Sequence, residues 1–321
     1  MRSTFGARCY VITDAYSQRL CNVWAVIGPG GPPLVQVSKL HKIAVLTFIV
    51  GLMVGGVVAV RLSPYFSATD EKVVVFAGAA SAPVLEEAAH MFKAKYGIAV
   101  ELRFGGSGSV LSAMKISKTG DLFIPGSPEY LSQATKLGVV DVHEGHATVL
   151  AYLVPAIIVQ KGNPKNITSL EDLARPGMRV GIGDPESVCV GLYAKDLLER
   201  SGLWENVSRN IVVYAQSCDA TAALIPAGAV DAIIGWHVFQ AWTPDRADIV
   251  WIAPTKIPKI SYIVGVLSTF AEHRSSAEAF LDFLTSRDAQ AIWSKYGYFA
   301  TEQDAKTHAP NAEIQPLEEL V

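Results

Sequence analysis

From Lys72 onward, short β-branched runs alternate with stretches whose apolar residues recur at three- and four-residue spacing, the periods of strands and amphipathic helices. "KVVVFAG" (72–78) predicts a buried strand. "APVLEEAAHMFKAKYG" (82–97) places Val84, Leu85, Ala88, Met91 and Phe92 on one helical face, with Pro83 near the start and Gly97 as the stop. A second strand, "IAVELRFGG" (98–106), runs into a helix whose inner face carries Val110, Leu111 and Met114. "DLFIPG" (121–126) and "SPEYLSQATKLG" (127–138) repeat the unit.

A longer apolar passage, "ATVLAYLVPAIIVQKGNP" (147–164), leads to strand "RVGIG" (179–183) and helix "GLYAKDLLERSG" (191–202). Strand "IVVYAQ" (211–216), a helix from Ser217, and strands "DAIIGW" (231–236) and "IVWIAP" (249–254) follow. "ISYIVGVLS" (260–268) precedes two closing helices, the second with Ser286 as N-cap and Gly297 as stop. This order predicts α/β layers with mainly parallel strands, divided into two lobes. Residues 72–152 plus 262–321 would form lobe I and 153–261 lobe II, joined by crossovers near "TVLAYLVPAII" and "IPKISYIVGV". The closing helices would then return to lobe I.

The first 71 residues break this pattern. Residues 43–60 carry no charge and are long enough to approach a membrane span. Arg2, Arg8, Arg19, Lys39 and Lys42 precede them against Asp14 alone, which orients 1–42 toward the cytoplasm and exports the body. A retained signal-anchor is favoured over a cleaved signal, because Phe66 stands where a small residue is preferred before Ala68. No cysteine follows the apolar run closely enough for a lipid anchor. Residues 1–34 resemble neither a targeting signal nor a domain, and a start further down would leave "VQVSKLHK" as an ordinary basic leader. Residues 61–71 read as a linker.

Charge narrows the partners. The 27 basic and 30 acidic residues nearly cancel, so no polybasic field exists for nucleic acid. Of four cysteines, Cys189 and Cys218 lie in the exported body, where the compartment permits a disulfide.

Candidate chemistry gathers at strand ends that turn into helices: "AGAAS" (77–81), "GGSGS" (105–109), "GDPESVCVG" (183–191) and "QSC" (216–218). Helix starts expose unpaired N–H donors and a positive dipole end, and Ser81, Ser107 and Ser109 add hydroxyls, a combination suited to an anion. One such turn alone is ordinary capping; four at equivalent positions point to a shared ligand. The competing templates fail. Gly105 and Gly106 are followed by no P-loop lysine, no third Rossmann glycine stands near Leu111, and Ser109 occupies the glycine position of a hydrolase elbow.

Other motifs carry less. "HEGH" (143–146) lacks the helical spacing of a zinc pair, so no metal site is expected. Glu86–Glu87 and Glu318–Glu319 read as solvated faces, and the tripeptides at Asn166 and Asn206 match glycosylation acceptors of a kind common by chance. Trp236 and His237 end a strand at the cleft, where Trp236 serves either as an aromatic wall or as core.

With these loops in view, the body resembles the molybdate/tungstate-binding proteins of ABC importers, members of the type II periplasmic-binding-protein superfamily, over most of residues 72–298. The resemblance rests on "VVVFAGAASAPVLEEAA", "FGGSGSVLSAM", "GDLFIPGSPEYL", "AIWSKYGY" and, most specifically, "VGIGDPESVCVGLYAKDLLERSGLW". It implies a two-lobed α/β fold with two crossovers and no catalysis or cofactor. Neutral hydrogen-bond donors would capture a tetrahedral oxyanion, molybdate or tungstate, which would pass to a permease and its ATPase. Carried onto this chain, the first-loop donor falls at Ala80 or Ser81, the second at Ser107, a backbone donor at Val190 and another at Cys218. The family's tyrosine position falls near Gly235 or Trp236, so either Trp236 or His237 would substitute for the phenol or that donor is absent. Two cysteines in ligand loops are a departure; they imply either a disulfide at the cleft rim or a soft donor. Phosphate and sulfate stay open as alternative ligands, with Asp184 or Asp219 as the acceptor that a protonated phosphate needs. An exported enzyme using Cys189 or Cys218 with His237 as base is the alternative from another class.

Overall fold

The computed structural model describes residues 72–142 and 147–320. The apolar run 43–60 with its flanks, and the "HEGH" stretch, lie outside the described residues. Among the described residues, no helix is long and apolar enough to cross a membrane.

The described residues open with strand β1 (Lys72–Gly78), whose last four residues are buried. A single 3-10 turn, Ala79–Ser81, leads to helix α1 (Ala82–Tyr96). Proline sits in its first turn, and Gly97 ends it at φ 75°, the left-handed conformation that glycine adopts without penalty. Val84, Leu85, Ala88 and Phe92 are buried as the helical period requires, but Met91 is 39% exposed. Met91 lies at the edge of the apolar stripe, beside Phe92, whose ring packs on that of Tyr96 with centroids 4.7 Å apart.

Strand β2 (Ala99–Gly105), helix α2 (Ser107–Ser117), strand β3 (Leu122–Ile124) and helix α3 (Pro128–Lys136) complete the first run. Two strands, β4 (Thr148–Leu153) and β5 (Pro155–Gln160), follow, divided by Val154 alone. Then come β6 (Val180–Gly183), α4 (Cys189–Arg200), α5 (Trp204–Val207), β7 (Ile211–Ala215), α6 (Cys218–Ala223), β8 (Ala232–Trp236), α7 (Val238–Trp242) and β9 (Ala247–Val250). Strand β10 (Ser261–Leu267) is buried throughout and precedes α8 (Arg274–Thr285), α9 (Arg287–Lys295) and α10 (Glu302–Lys306).

These strands make two five-stranded sheets, ordered β2-β1-β3-β10-β4 and β7-β6-β8-β5-β9. The chain passes between them at Val154 and again between β9 and β10. Pairings of β1 with β2 and β3, and of β6 with β7 and β8, are parallel. Both passing strands run against their neighbours: β10 is antiparallel to β3 and β4, and β5 to β8 and β9. The expectation of mainly parallel sheets is therefore corrected. A strand that enters a sheet directly, without a crossover helix, is free to pair antiparallel.

One more correction concerns "IVWIAP". Its strand is β9, displaced toward the N-terminus, because pairing with β5 ends at Ile157↔Val250. Trp251 leaves the ladder and stacks on His308, ring centroids 3.8 Å apart. The closing helices pack on the first sheet's layer: Phe280 and Phe283 meet Phe92 at 5.0 and 5.6 Å between ring centroids. Burial of each such ring contributes about 1.5–3 kcal/mol. Ser286 caps α9 by accepting from the Ala289 N–H, as its position predicts.

Candidate anion-binding cleft

Strands β1 and β2 of one sheet and β6 and β7 of the other end beside the same space, and each feeds a helix start. At Ala82, Ser107 and Cys189 the helix begins without a side-chain cap. Only α6 supplies its own, Ser217 accepting from the Ala220 N–H. N–H groups at helix starts without side-chain caps suit a ligand, although that of Gly108 already donates to the Ser187 carbonyl.

Small residues let the backbones approach. A Cβ on Gly126 would stand 2.7 Å from Cys189 Sγ and 3.0 Å from Ala80 Cβ; one on Gly78 would stand 2.6 Å from Ser107 Oγ. Ser107, 1% exposed, accepts from the Gly126 N–H at 3.1 Å, which leaves its own proton free to donate. The Gly126 carbonyl accepts from Ser261 Oγ at 3.1 Å, so β10 pins the turn from behind. Tyr298 closes the floor by donating to the Ala80 carbonyl.

From the second sheet come Cys189, Val190, Cys218 and Trp236, all buried. The two sulfurs are 3.4 Å apart and both cysteines are free thiols. Trp236 packs edge-on against Tyr193, centroids 5.0 Å apart, and its buried Nε1–H finds no acceptor. Trp236 is thus part of the core. Burial opposes ionisation of Cys189, yet the contact with Cys218 Sγ and the nearby dipoles of Trp236, Ser107 and the Val190 N–H outweigh it and hold that thiol below its ordinary value. Cys218, equally buried and beside Cys189, is pushed well up. These groups favour negative charge at the Cys189 sulfur, and none is a cation.

The cleft is closed. The Gly108 N–H donates across it to the Ser187 carbonyl at 3.0 Å, and Tyr193 donates to Glu129 at 3.3 Å. Cys189, Val190 and Trp236 belong to the same contiguous apolar cluster as β1 and α1.

Of the residues singled out from the sequence, Ala80, Ser107, Val190, Cys218 and Trp236 meet here. Ser81 is buried beside them, but its hydroxyl turns back to the Gly78 carbonyl at 3.0 Å. Ser109 is exposed and takes no part in the cluster. Gly126, Tyr193 and Tyr298 escaped sequence reasoning; the tyrosines lie within a helix and near the chain end, where no loop motif marks them. Asp184 accepts from the Glu186 N–H within its own turn, and Asp219 accepts from Ser217. His237 is occupied as well. Its Nδ1 accepts from the Val154 N–H at 3.2 Å, its Nε2 meets the Gly297 carbonyl at 3.0 Å, and burial lowers its pKa to about 3. It has no free nitrogen to act as base for either cysteine. Among the described residues, no group of three or more His, Cys, Asp or Glu could hold a metal ion.

A family model described as bacterial extracellular solute-binding protein matches residues 73–299. The chain belongs to this family. Its members are binding proteins rather than enzymes. Among relatives of this solute-binding protein is the molybdate-binding protein ModA of Mycobacterium tuberculosis, 31% identical over 70% of this chain and 84% of its own length. Two solved structures share the fold: the sulfate-binding protein SubI of Mycobacterium tuberculosis (TM-score 0.64, 19% identity, 78% of this chain and 96% of that one) and the periplasmic molybdate-binding protein of Azotobacter vinelandii (TM-score 0.61, 21% identity, 72% and 100%).

Proposed function

We propose that this protein is the extracytoplasmic receptor of an ABC importer, capturing a fully ionised tetrahedral oxyanion, molybdate or tungstate, and delivering it to a permease and its ATPase. One observation carries the reading. Helices that begin without side-chain caps at Ser107 and Cys189 approach each other from the two sheets, where Gly106 abuts the Ser187 and Gln216 carbonyls, and the buried Trp236 Nε1–H finds no acceptor. Neutral donors suffice for a dianion because each helix end contributes part of a charge without desolvating a cation. The ligand would contact Ala80, Ser107, Val190, Cys218 and Trp236, with Ser81 behind them and Ser109 at the rim.

Asp184 and Asp219 are engaged in their own turns, which disfavours phosphate, whose proton needs an acceptor. Sulfate is the second reading, favoured by the likeness to SubI. It differs from molybdate in size rather than charge, so cleft dimensions decide between them. In this scheme residues 72–152 plus 262–321 and residues 153–261 are the lobes that close on the ligand, and residues 43–60 direct export and anchor the receptor. The ligand is cargo, and no cofactor is needed.

Calorimetry with molybdate, tungstate, sulfate and phosphate tests the proposal. Molybdate and tungstate should bind most tightly, sulfate more weakly and phosphate least. Heat from none of the four, or a preference for phosphate, would overturn it.

A further inference from the structure

Capture of a hard oxyanion leaves two residues at the centre of the cleft unexplained. A thiol is a weak hydrogen-bond donor, poorly matched to an oxide oxygen where a hydroxyl would serve better. Yet Cys189 and Cys218 face each other at 3.4 Å between sulfurs, both free and both 1% exposed or less. Each is the first residue of its helix, α4 and α6, and those helices follow strands β6 and β7, which pair with each other. A bond between them would thus lie within one sheet's layer. It would not tie the two sides of the cleft together, so the protein would still open and close.

We propose that Cys189 and Cys218 form a thiol–disulfide exchange site inside the binding cleft, whose co-reactant is a small-molecule disulfide and whose state sets the number of donors offered to the ligand. The exchange itself is independent of the oxyanion reading; its effect on affinity rests on that reading.

The chemistry balances without a metal. Cys189, surrounded by Trp236, Ser107 and the Val190 N–H, attacks as thiolate one sulfur of the small disulfide. That S–S bond breaks and a small thiolate leaves, taking up the proton that Cys189 released. Cys218 then loses its proton and attacks the Cys189 sulfur of the mixed disulfide, expelling the second small thiolate, which is protonated in turn. Two electrons pass from the protein to the small disulfide: two protein thiols and one small disulfide become one protein disulfide and two small thiols. The sulfurs need to approach from 3.4 Å to about 2.0 Å, a movement within reach of side-chain rotation and a slight shift of two helix starts.

Burial makes the exchange conditional on opening. In the closed cleft, the Gly108–Ser187 and Tyr193–Glu129 bonds span its mouth, and no disulfide reaches the sulfurs until they part. A bound ligand that holds the cleft shut protects the pair. Conversely, the bridged state has no S–H to donate and presents two sulfurs that act only as weak acceptors.

The test uses the full chain equilibrated at graded ratios of oxidised to reduced glutathione, alkylated, and mapped by peptide mass spectrometry, which separates residues 189 and 218 from Cys9 and Cys21. The expected result is one reversible transition to an intramolecular 189–218 disulfide, with Cys218→Ser stopping at a mixed disulfide on Cys189. Molybdate should slow the reaction. Calorimetry on the two forms should show roughly tenfold weaker molybdate binding by the bridged one, the loss expected for two weak donors. Thiols that stay fully alkylatable at every ratio, or a mixed disulfide that Cys218 never resolves, overturn the exchange site. Equal molybdate affinity in both forms overturns its control of the donors. If neither form binds any oxyanion while the exchange proceeds, the proposed function fails and the exchange site stands.

Discussion

His237 should make this protein acid-labile in a calculable way. Its ring lies where the chain passes from β4 to β5: Nδ1 accepts from the Val154 N–H at 3.2 Å, Nε2–H donates to the Gly297 carbonyl at 3.0 Å, and Phe299 stacks on it with centroids 4.2 Å apart. Burial disfavours the charged ring more than the Gly297 carbonyl favours it, and the pKa falls from 6.5 to about 3. The unfolded ring takes a proton below 6.5 while the folded ring stays neutral, so the unfolded state binds more protons and stability declines with falling pH. Stability is full above pH 6.5, falls between 6.5 and about 3, and then levels. Each pH unit in that window costs about 1.4 kcal/mol, so pH 4.5 should remove roughly 2.7 kcal/mol, and full titration about 5. That is a large share of the usual stability of a domain. His308, also depressed by burial, acts in the same direction, and carboxylates add their own terms, so a comparison is needed. In His237→Gln the amide oxygen still accepts from Val154 and the amide N–H still donates to Gly297, but nothing titrates. Urea unfolding of both proteins at pH 7.5, 6.5, 5.5 and 4.5 is the assay. The wild type should lose about 2–3 kcal/mol more than the variant across that range. Parallel curves, or an NMR titration placing His237 at or above 6.5, would refute the reasoning.

Three further outcomes follow from the cleft and its supports. Ser107→Ala removes both the proposed donor to the ligand and the acceptor of the Gly126 N–H, and should weaken molybdate binding by about 1–3 kcal/mol in calorimetry; unchanged affinity removes Ser107 from the site. Gly106→Ala places a Cβ 2.7 Å from the Ser187 carbonyl and 2.8 Å from that of Gln216, backbone atoms across the cleft. It should leave both sheets folded by circular dichroism yet prevent ligand-induced compaction in small-angle scattering, and compaction equal to wild type counts against it. Asp121, 2% exposed, accepts from the Val74 N–H at 2.8 Å and from those of Glu272 and His273 at 2.9 Å. Asp121→Asn turns an NH2 toward one of these donors and should cost about 1–3 kcal/mol in urea unfolding, whereas a negligible change would show those bonds to be dispensable.

The residues that met at the cleft were legible because each stands at a change of hydrophobic period, and such changes are visible in one dimension. Ser107, Val190 and Cys218 open helices or lie in their first turn, and Trp236 ends a strand. The same rule explains why Ser109 is exposed. Two residues along an α-helix, a side chain has turned by more than half a circle, so Ser107 and Ser109 cannot both face the cleft. What stayed hidden depends on atoms that a motif does not carry. Gly126 acts through a missing Cβ, and Tyr193 and Tyr298 reach the site from helix interior and chain end. The shift of "IVWIAP" to an earlier strand is a tertiary choice: Trp251 gains a stack on His308 that no local preference for strand encodes. The cysteines show the limit most sharply. Spacing places Cys189 next to a backbone donor and Cys218 at a helix start, and either position alone reads as no more than a soft donor. Only the fold brings the sulfurs to 3.4 Å and turns the surrounding donors on Cys189. Their proximity makes the pair chemically different from two serines, since adjacent thiols share an oxidation reaction that adjacent hydroxyls lack.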